Sequence, residues 1–321
     1  MSILIRKPGI RTVARDLGRF GHMAAGINPT GAMDTLSARV LNILLDNSEN
    51  AAVLEFSFPA PEIAFETDAI FFIGGCGHEA RLNGSSLLAW QPQKAAAGDI
   101  LSMKGPAEGN FAYLAVAGGF DVPDVLGSRT TNLAAGFGGY EGRLLAAGDR
   151  IAVSAPERSF IGLQPQLGYS LRPQLADPVR IRITRGPEYH RLTALSEQTF
   201  LTDNFSVGTN SDPMGFRLTG PQIFSLDETE LLSSAAAFGT VQLLPDGGLA
   251  VLMSDHQTTG GYPRIAVVAA VDIPLLAQLR PGRSFTFELI EIEVAVQLLV
   301  EQERELLFLK TGVRLAHGQI Y

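Results

Sequence analysis

The sequence reads as mainly β, arranged as two β-rich domains with a few short helices and one amphipathic C-terminal helix. Three observations carry this reading. Glycine (34) and proline (18) are spread along all 321 residues and cut the chain into short apolar runs, which favours strands over long helices. The runs are continuously apolar or alternate with period two, the patterns of buried and half-buried strands. The turn chemistry also recurs. "AAGDILSM", "AAGDRIAV" and "RPGRSFTF" place Gly98, Gly148 and Gly282 at a tight turn, then a polar residue, then alternating apolar positions, a weak internal repeat of hairpin units.

Along the chain, "SARVLNILLD" (37–46) carries Val40, Leu41, Leu44 and Leu45 on one helical face after a cap at Thr35 or Ser37. "AIFFIGG" (69–75), "FAYLAVAGG" (111–119), "VRIRITRG" (179–186), "LAVLM" (249–253) and "IAVVAA" (265–270) are buried strands, and "SFTFELIEI" (284–292) alternates cleanly. "DIPLLAQL" (272–279) is a short helix with Pro274 in its first turn. In "IEVAVQLLVEQERELLFLK" (292–310), Val294, Ala295, Leu298, Leu299, Gln302 and Leu306 form one stripe, the mark of a helix packed on a sheet. Residues 156–178 hold four prolines and separate the strand-rich regions, so the expected division is 1–155, a linker over 156–178, and 179–321.

Composition excludes several partners. With 46% apolar and 18% charged residues the chain is a globule. Its net charge of −8, with no basic block, argues against nucleic acid or anionic lipid and leaves proteins and small molecules. One cysteine permits no intrachain disulfide and fits a reducing cytoplasm. The N-terminal "MSILIRKPG" meets Arg6 and Lys7 too early for a signal segment, and no run approaches the roughly 18 apolar residues of a membrane helix.

The motif search is mostly negative. The histidines at 22, 78, 190, 256 and 317 never pair at helical ligand spacing, so no metal site is expected. There is no GxGxxG, GxxxxGK[ST] or GxSxG. Cys76, two residues from His78, reads as a buried structural cysteine rather than a nucleophile. What remains is four polar stretches rich in glycine: "RDLGRFGHMAAGINPTGAMD" (15–34), "GSRTTNLAAGFGGYEGR" (127–143), "NSDPMGFRLTGP" (210–221) and "SDHQTTGGYPRI" (254–265). Each joins polar groups to residues with almost no side chain, which lets a ligand or another backbone come close.

These blocks, with "LEFSF" and "YLAVAGGFDVPDVLGSRTTNLAAGFGGYEGRLLAAGD", resemble in order those of the KipA family, also called allophanate hydrolase subunit 2 or the 5-oxoprolinase C subunit. That family resembles part of the carboxyltransferase domain of urea carboxylase. The resemblance implies two cyclophilin-like β-barrel domains. It also implies a heteromeric, cytoplasmic hydrolase that uses ATP and Mg²⁺ shared with its partners: a B subunit (KipI, or allophanate hydrolase subunit 1-like) and an A subunit (LamB/YcsF-like). Together these cleave 5-oxo-L-proline to L-glutamate, and this chain alone is expected to be inactive. A lactam is a poor electrophile, so phosphorylation of its oxygen supplies a leaving group before water attacks. Two alternatives stay open: a carboxyltransferase component of a biotin-dependent urea or amide carboxylase, and a KipA-like antagonist that sequesters a kinase-inhibiting partner.

On this resemblance Asp34, Arg129, Gln257 and Thr258 are the catalytic candidates, and Asp16, Arg19, Thr130, Thr259, Gly260, Gly261 and Tyr262 bind substrate. The 254–265 stretch becomes a strand-end loop lining a cleft shared with a second chain. Gln257, Thr258 and Thr259 supply hydrogen bonds, the two glycines admit the ligand, and Tyr262 forms a wall. Arg19 and Arg129 match phosphate or carboxylate. Asp16 and Asp34 would bind Mg²⁺ or orient an arginine, while Asp16 with Arg19 reads equally as a local ion pair. His256 is either a proton carrier or a hydrogen-bonded loop residue. The chain departs from the family pattern at Pro213, where arginine is usual, at Arg15, where glutamine is common, and at His256, where arginine is common. It also lacks the usual acidic residue in "SSAAAFG". These departures leave the amide substrate open.

Overall fold

The computed structural model describes residues 1–75, 79–105, 109–156, 171–227 and 231–316. Cys76, His78, His317 and most of the 156–178 segment lie outside the described residues. The chain divides into two compact units. The first comprises residues 1–19, 30–174 and 302–321, and the second residues 20–29 and 175–301.

The first unit is a pair of sheets. One has seven strands, in the order Phe120–Asp121, Arg150–Val153, Ser2–Lys7, Glu62–Phe65, Ile100–Lys104, Glu79–Leu82, Ser85–Leu87. The other has five, in the order Arg11–Arg15, Val53–Ser57, Ala112–Val116, Ala69–Gly75, Gln93–Ala95. Ile3, Ile5, Ile63, Phe65 and Leu101 of the first pack with Leu54, Phe56, Phe71, Ile73, Leu114 and Val116 of the second in one buried cluster. Phe65 and Phe71 stack with ring centres 4.9 Å apart. Such interdigitation is how two half-apolar sheets leave water. Because side chains alternate, the opposite face of the five-stranded sheet carries a row across strands, Val13–Glu55–Tyr113–Gly74.

Helix α1 (Thr35–Leu44) covers that face. A side chain at Gly74 would meet Leu41 and Trp90 at about 3 Å, so glycine there admits the helix. α1 begins two residues before its expected start because Asp34, and not Thr35 or Ser37, is its cap: the Asp34 carboxylate accepts from Ser37 N–H.

The second unit is built on a closed barrel: Val179–Arg185, Arg264–Val268, Thr240–Leu243, Leu249–Leu252, Gly215–Thr219, Phe205–Val207 and Ser284–Leu289. The first and last of these, Val179–Arg185 and Ser284–Leu289, pair in parallel. Phe200, Phe205, Phe285 and Phe287 meet ring to ring beside that seam, at 4.7 to 6.2 Å. A two-stranded ribbon, Ser234–Ala235 with Thr259–Gly260, stands apart from the barrel. Helix α2 (Ala194–Thr202), capped by Thr193, has no counterpart in the sequence reading, since its apolar residues form no stripe. α3 (Ile273–Ala277) carries Pro274 in its first turn as expected.

The expectation of mainly β structure with few helices and a C-terminal helix is met. Among the described residues, however, closure is seen in the second unit, whereas the first is two sheets. α4 (Ile292–Ala316) extends six residues beyond its expected end. Its expected stripe is met in part: Leu306 is buried and Ala295, Leu298 and Gln302 are half-buried, while Val294 and Leu299 are exposed and Val313, outside the stripe, is buried. Gly98, Gly148 and Gly282 all hold the positive φ that the repeated turn requires.

Candidate functional site

Five of the candidate residues, Asp16, Arg19, Asp34, Arg129 and Thr130, lie in the first unit, and six, Gln257 to Tyr262, in the second.

Asp16 follows the strand Arg11–Arg15 and is 1% exposed. Its carboxylate accepts from Ser128 Oγ (2.8 and 2.9 Å), Gly18 N–H (2.9 Å) and Arg129 N–H (2.6 Å). The side chain therefore clamps the 125–130 loop and sets where Arg129 emerges. Arg19 is fully buried. Its Nε donates to Val125 O (2.8 Å) and its Nη2 to Thr130 O (3.0 Å), and the guanidinium lies over the Phe137 ring at 4.7 Å. Burial lowers its pKa against the opposing charges of Asp16 and Asp124. Among the described residues, Arg19 Nη1 and Thr130 Oγ1 are buried without a hydrogen-bond partner.

The adjoining glycines are close-packed. A side chain on Gly138 would strike Thr130 O and stand 2.7 Å from Arg19 Nη2. One on Gly142 would strike the Gly136 carbonyl. Here the backbone admitted so closely is the chain's own.

Asp34 is fully buried and both its oxygens are engaged by Ser37, from N–H at 2.9 Å and Oγ at 2.6 Å. Its own N–H donates to Tyr113 OH (2.8 Å), which donates to Glu55 Oε2 (2.8 Å), and the same oxygen accepts from Met33 N–H (2.8 Å). Arg15 stands 3.6 Å from Glu55 and donates to Thr131 O. Burial first, and then the charges of Glu55 and Asp34, push the Tyr113 phenol well above its ordinary pKa, so it stays a donor.

The sequence reading missed Glu55 and Tyr113. The available signal was a lone acid inside the apolar strand "VLEFS". Asp16 and Asp34 turn their oxygens toward N–H and O–H donors, which is a poor fit to Mg²⁺. Among the described residues no group of three or more His, Cys, Asp or Glu is placed to hold a metal ion.

Arg129 is different. Its side chain is 38% exposed, and its nearest acceptors are Phe120 O at 3.4 Å and Asp121 at 3.8 Å. It lines a cavity of about 460 Å³ together with Asp16.

In the second unit the strand Leu249–Leu252 ends in a turn where Asp255 N–H donates to Pro213 O and Asn28 Nδ2 donates to Asp255 O (both 2.8 Å). Parts of three of the four glycine-bearing stretches, 20–29, 210–221 and 254–265, thus meet. His256 is 2% exposed with Nδ1 2.7 Å from Gln257 O, and burial holds its pKa below the usual value. Thr258 O accepts from Ala236 N–H (3.0 Å), and Thr259 and Gly260 form the ribbon with Ala235 and Ser234. Gln257 and Thr258 are half-buried, and Thr259 and Tyr262 exposed.

A side chain at Gly260 would lie 2.7 Å from Gln242 Nε2 and 3.5 Å from Gln257 Nε2. Gln242 is 2% exposed and its Nε2 is buried without a partner among the described residues. It too escaped the sequence reading, because a single glutamine in "TVQLL" carries no motif.

The sequence profile of the carboxyltransferase domain, subdomain A and B, matches residues 25–289. The chain belongs to that family. This carboxyltransferase-family chain is 39% identical to the 5-oxoprolinase C subunit of Escherichia coli (strain K12), over 94% of its own length and 95% of that protein. It is 37% identical to the 5-oxoprolinase C subunit of Haemophilus influenzae, over 91% and 93%. Urea amidolyase of Lachancea kluyveri is 30% identical over 96% of the chain, which spans 18% of that protein. Among solved structures, Kluyveromyces lactis urea carboxylase superposes with a TM-score of 0.89 at 28% identity, over 97% of the chain and 29% of that protein. TTHA0988 does so with a TM-score of 0.80 at 31% identity, over 89% and 55%. The carboxyltransferase-family chain has, among its described residues, no helix long and apolar enough to cross a membrane.

Proposed function

We propose that the chain is the C subunit of a 5-oxoprolinase-type complex, acting with B and A subunits in ATP-dependent opening of 5-oxo-L-proline to L-glutamate. The observation that carries this reading is the match to the E. coli 5-oxoprolinase C subunit, nearly end to end for both proteins. The urea amidolyase match, by contrast, spans under a fifth of its partner.

ATP, held with Mg²⁺ on the assembled complex, would phosphorylate the lactam oxygen and so make its carbon electrophilic. Water would add there, the ring C–N bond would break with the nitrogen leaving as the amine, and a second water would release phosphate from the acyl phosphate to leave the carboxylate. This chain's part is binding and orientation. Gln257, Thr258 and Thr259 present donors from a strand end, Gly260 and Gly261 allow close approach, and Tyr262 supplies an exposed aromatic wall. In the first unit Arg129 is the charged contact, set in place by Asp16. Asp34, Thr130 and Arg19 hold the loops on which these groups stand, and we retain the cyclophilin-like relation of the units as part of this proposal.

The test is co-expression. The chain alone is expected to release no glutamate, and the chain with its B and A partners to release glutamate only when ATP is supplied. A fully assembled complex without turnover refutes the reading. Arg129→Ala and Thr258→Ala are expected to lower turnover at least tenfold with assembly unchanged. Unchanged turnover would remove Arg129 and Thr258 from the site and leave the subunit reading in place.

The superposition on urea carboxylase favours a second reading, carboxyl transfer from carboxybiotin to an amide. Recovery of the chain on avidin with a biotinylated partner would support it.

A further inference from the structure

Gln242 lies in the barrel strand Thr240–Leu243, and the proposed function gives it no part. Its Nε2 is buried without a partner, and its side chain makes no hydrogen bond among the described residues. A buried polar group left unpaired destabilises a fold, so one that is kept calls for an explanation.

Gly260 marks where a partner would stand. A side chain there would come within 2.7 Å of Gln242 Nε2 and 3.5 Å of Gln257 Nε2, so two carboxamides end beside one glycine of the 254–265 stretch. Gln257 likewise makes no side-chain hydrogen bond among the described residues. Arg264, on the flank of the ribbon, is spent on Glu188 at 3.0 and 2.9 Å and on Ala235 O at 3.1 Å. Gln257 is half-buried on a turn, whereas Gln242 is buried in a barrel strand, so Gln242 is the carboxamide whose orientation packing fixes.

A carboxamide is uncharged and offers an N–H donor and a C=O acceptor side by side. Its complement is an amide whose own C=O and N–H face the same way. A small lactam ring forces that arrangement, whereas a trans peptide turns the two groups apart. We propose that Gln242 is a specificity-determining residue that pairs with the lactam amide, its Nε2–H donating to the carbonyl oxygen and its Oε1 accepting from the ring N–H. This inference rests on the proposed function and names the group that reads its substrate. The second lone pair of the lactam oxygen stays open for phosphorylation. Because Gly260 stands against Nε2, the lactam enters as the ribbon, paired over only Ser234–Gly260 and Ala235–Thr259, shifts away. Ring opening parts the carbonyl from the nitrogen and ends the match.

Steady-state kinetics of the complex assembled with its B and A partners decide it. The substrate is 5-oxo-L-proline, and the inhibitor is its lactone analogue, with ring oxygen in place of N–H. In the wild type the lactone is expected to inhibit with a Ki at least tenfold above the KM of the lactam, because a site that pairs an N–H rejects the analogue lacking it. Gln242→Met keeps the length and removes both polar atoms. It is expected to raise KM at least tenfold and to bring Ki and KM within about threefold of each other. Its thermal midpoint is expected to stay level or rise, because no hydrogen bond within the chain is lost. A merely structural role predicts the reverse: a lower midpoint with the ratio of Ki to KM unchanged. If Gln242→Met does not assemble, Gln242→Leu carries the same test. A lactone that binds the wild type as well as the lactam does, or a Gln242→Met complex that keeps its KM and its ratio, overturns this inference and leaves the proposed function standing. A wild-type complex without turnover removes the proposed function and this inference with it.

Discussion

Tyr113 stands between two buried acids, and its hydroxyl is at once acceptor for Asp34 N–H and donor to Glu55. Tyr113→Phe removes the acceptor of the buried Asp34 N–H and one of the two donors to Glu55 Oε2, which keeps Met33 N–H, and leaving a buried polar group unpaired costs about 1–3 kcal/mol. The expected result is a loss of that size in denaturant unfolding with the fold retained. The glycines give a second test. Gly138→Ala combines a positive φ with a collision against the Thr130 backbone oxygen, so left-handed strain and overpacking together are expected to cost about 3 kcal/mol. Gly260→Ala meets the side-chain tip of Gln242 closely and that of Gln257 at ordinary contact distance, and no backbone. It is expected to cost about 1 kcal/mol in stability and, under the proposed function, far more in activity. At this scale the sequence made the polar, glycine-bearing loops legible, because side-chain type and glycine content are local. Whether Arg19 or Arg129 keeps free donors was illegible, since it depends on carbonyls about a hundred residues away for Arg19 and on the strand end at Phe120 for Arg129.

Helix α4 is tied down by charge at its C-terminal half. Arg39 on α1 pairs with Glu303 and with Glu49 (2.8 Å), and Lys310 donates to Glu49 at 2.7 Å. The Arg39 hydrogen bond chiefly holds Glu303 below the usual carboxylate pKa. At Glu49 burial acts upward, but Lys310 and Arg39 outweigh it and the net shift is also downward. A carboxylate depressed in the folded state stabilises above its unfolded pKa, about 4.3, and loses that contribution as pH falls through the folded value. Acidification below about pH 4.3 is therefore expected to speed amide exchange in residues 302–316 before the sheets open. Glu303→Gln is expected to do so at neutral pH. Both groups are partly exposed, so solvent screening limits each pair to about 1 kcal/mol or less. The strands and α1 were legible from periodicity. The buried side of α4 was not, because an apolar stripe does not say which of its turns finds a partner: Leu306 and Val313 do, while Val294 and Leu299 remain exposed.

At the scale of the molecule, sequence order and compact unit do not coincide. Residues 20–29 group with the second unit and 302–321 with the first. Composition marks linkers and cannot reveal such exchanges, which depend on contacts between distant segments. Family membership was legible because long blocks such as 113–149 recur in order, whereas closure of one unit and not the other was not, since strand patterning is alike in both. The barrel seam carries a prediction of its own. Ser284–Leu289 bonds to Val179–Arg185 on one side and to Phe205–Val207 on the other. A chain terminated before residue 284 leaves two unpaired edges and is expected to aggregate, which sedimentation of the truncated product checks.

The parallel union of strands about a hundred residues apart also has a temporal side. A ribosome must release the chain through Leu289 before the second unit can shut, because the staple that fastens its first strand emerges about a hundred residues after that strand. The first unit's paired sheets, complete by Val153, can assemble while that later half is still waiting for its keystone.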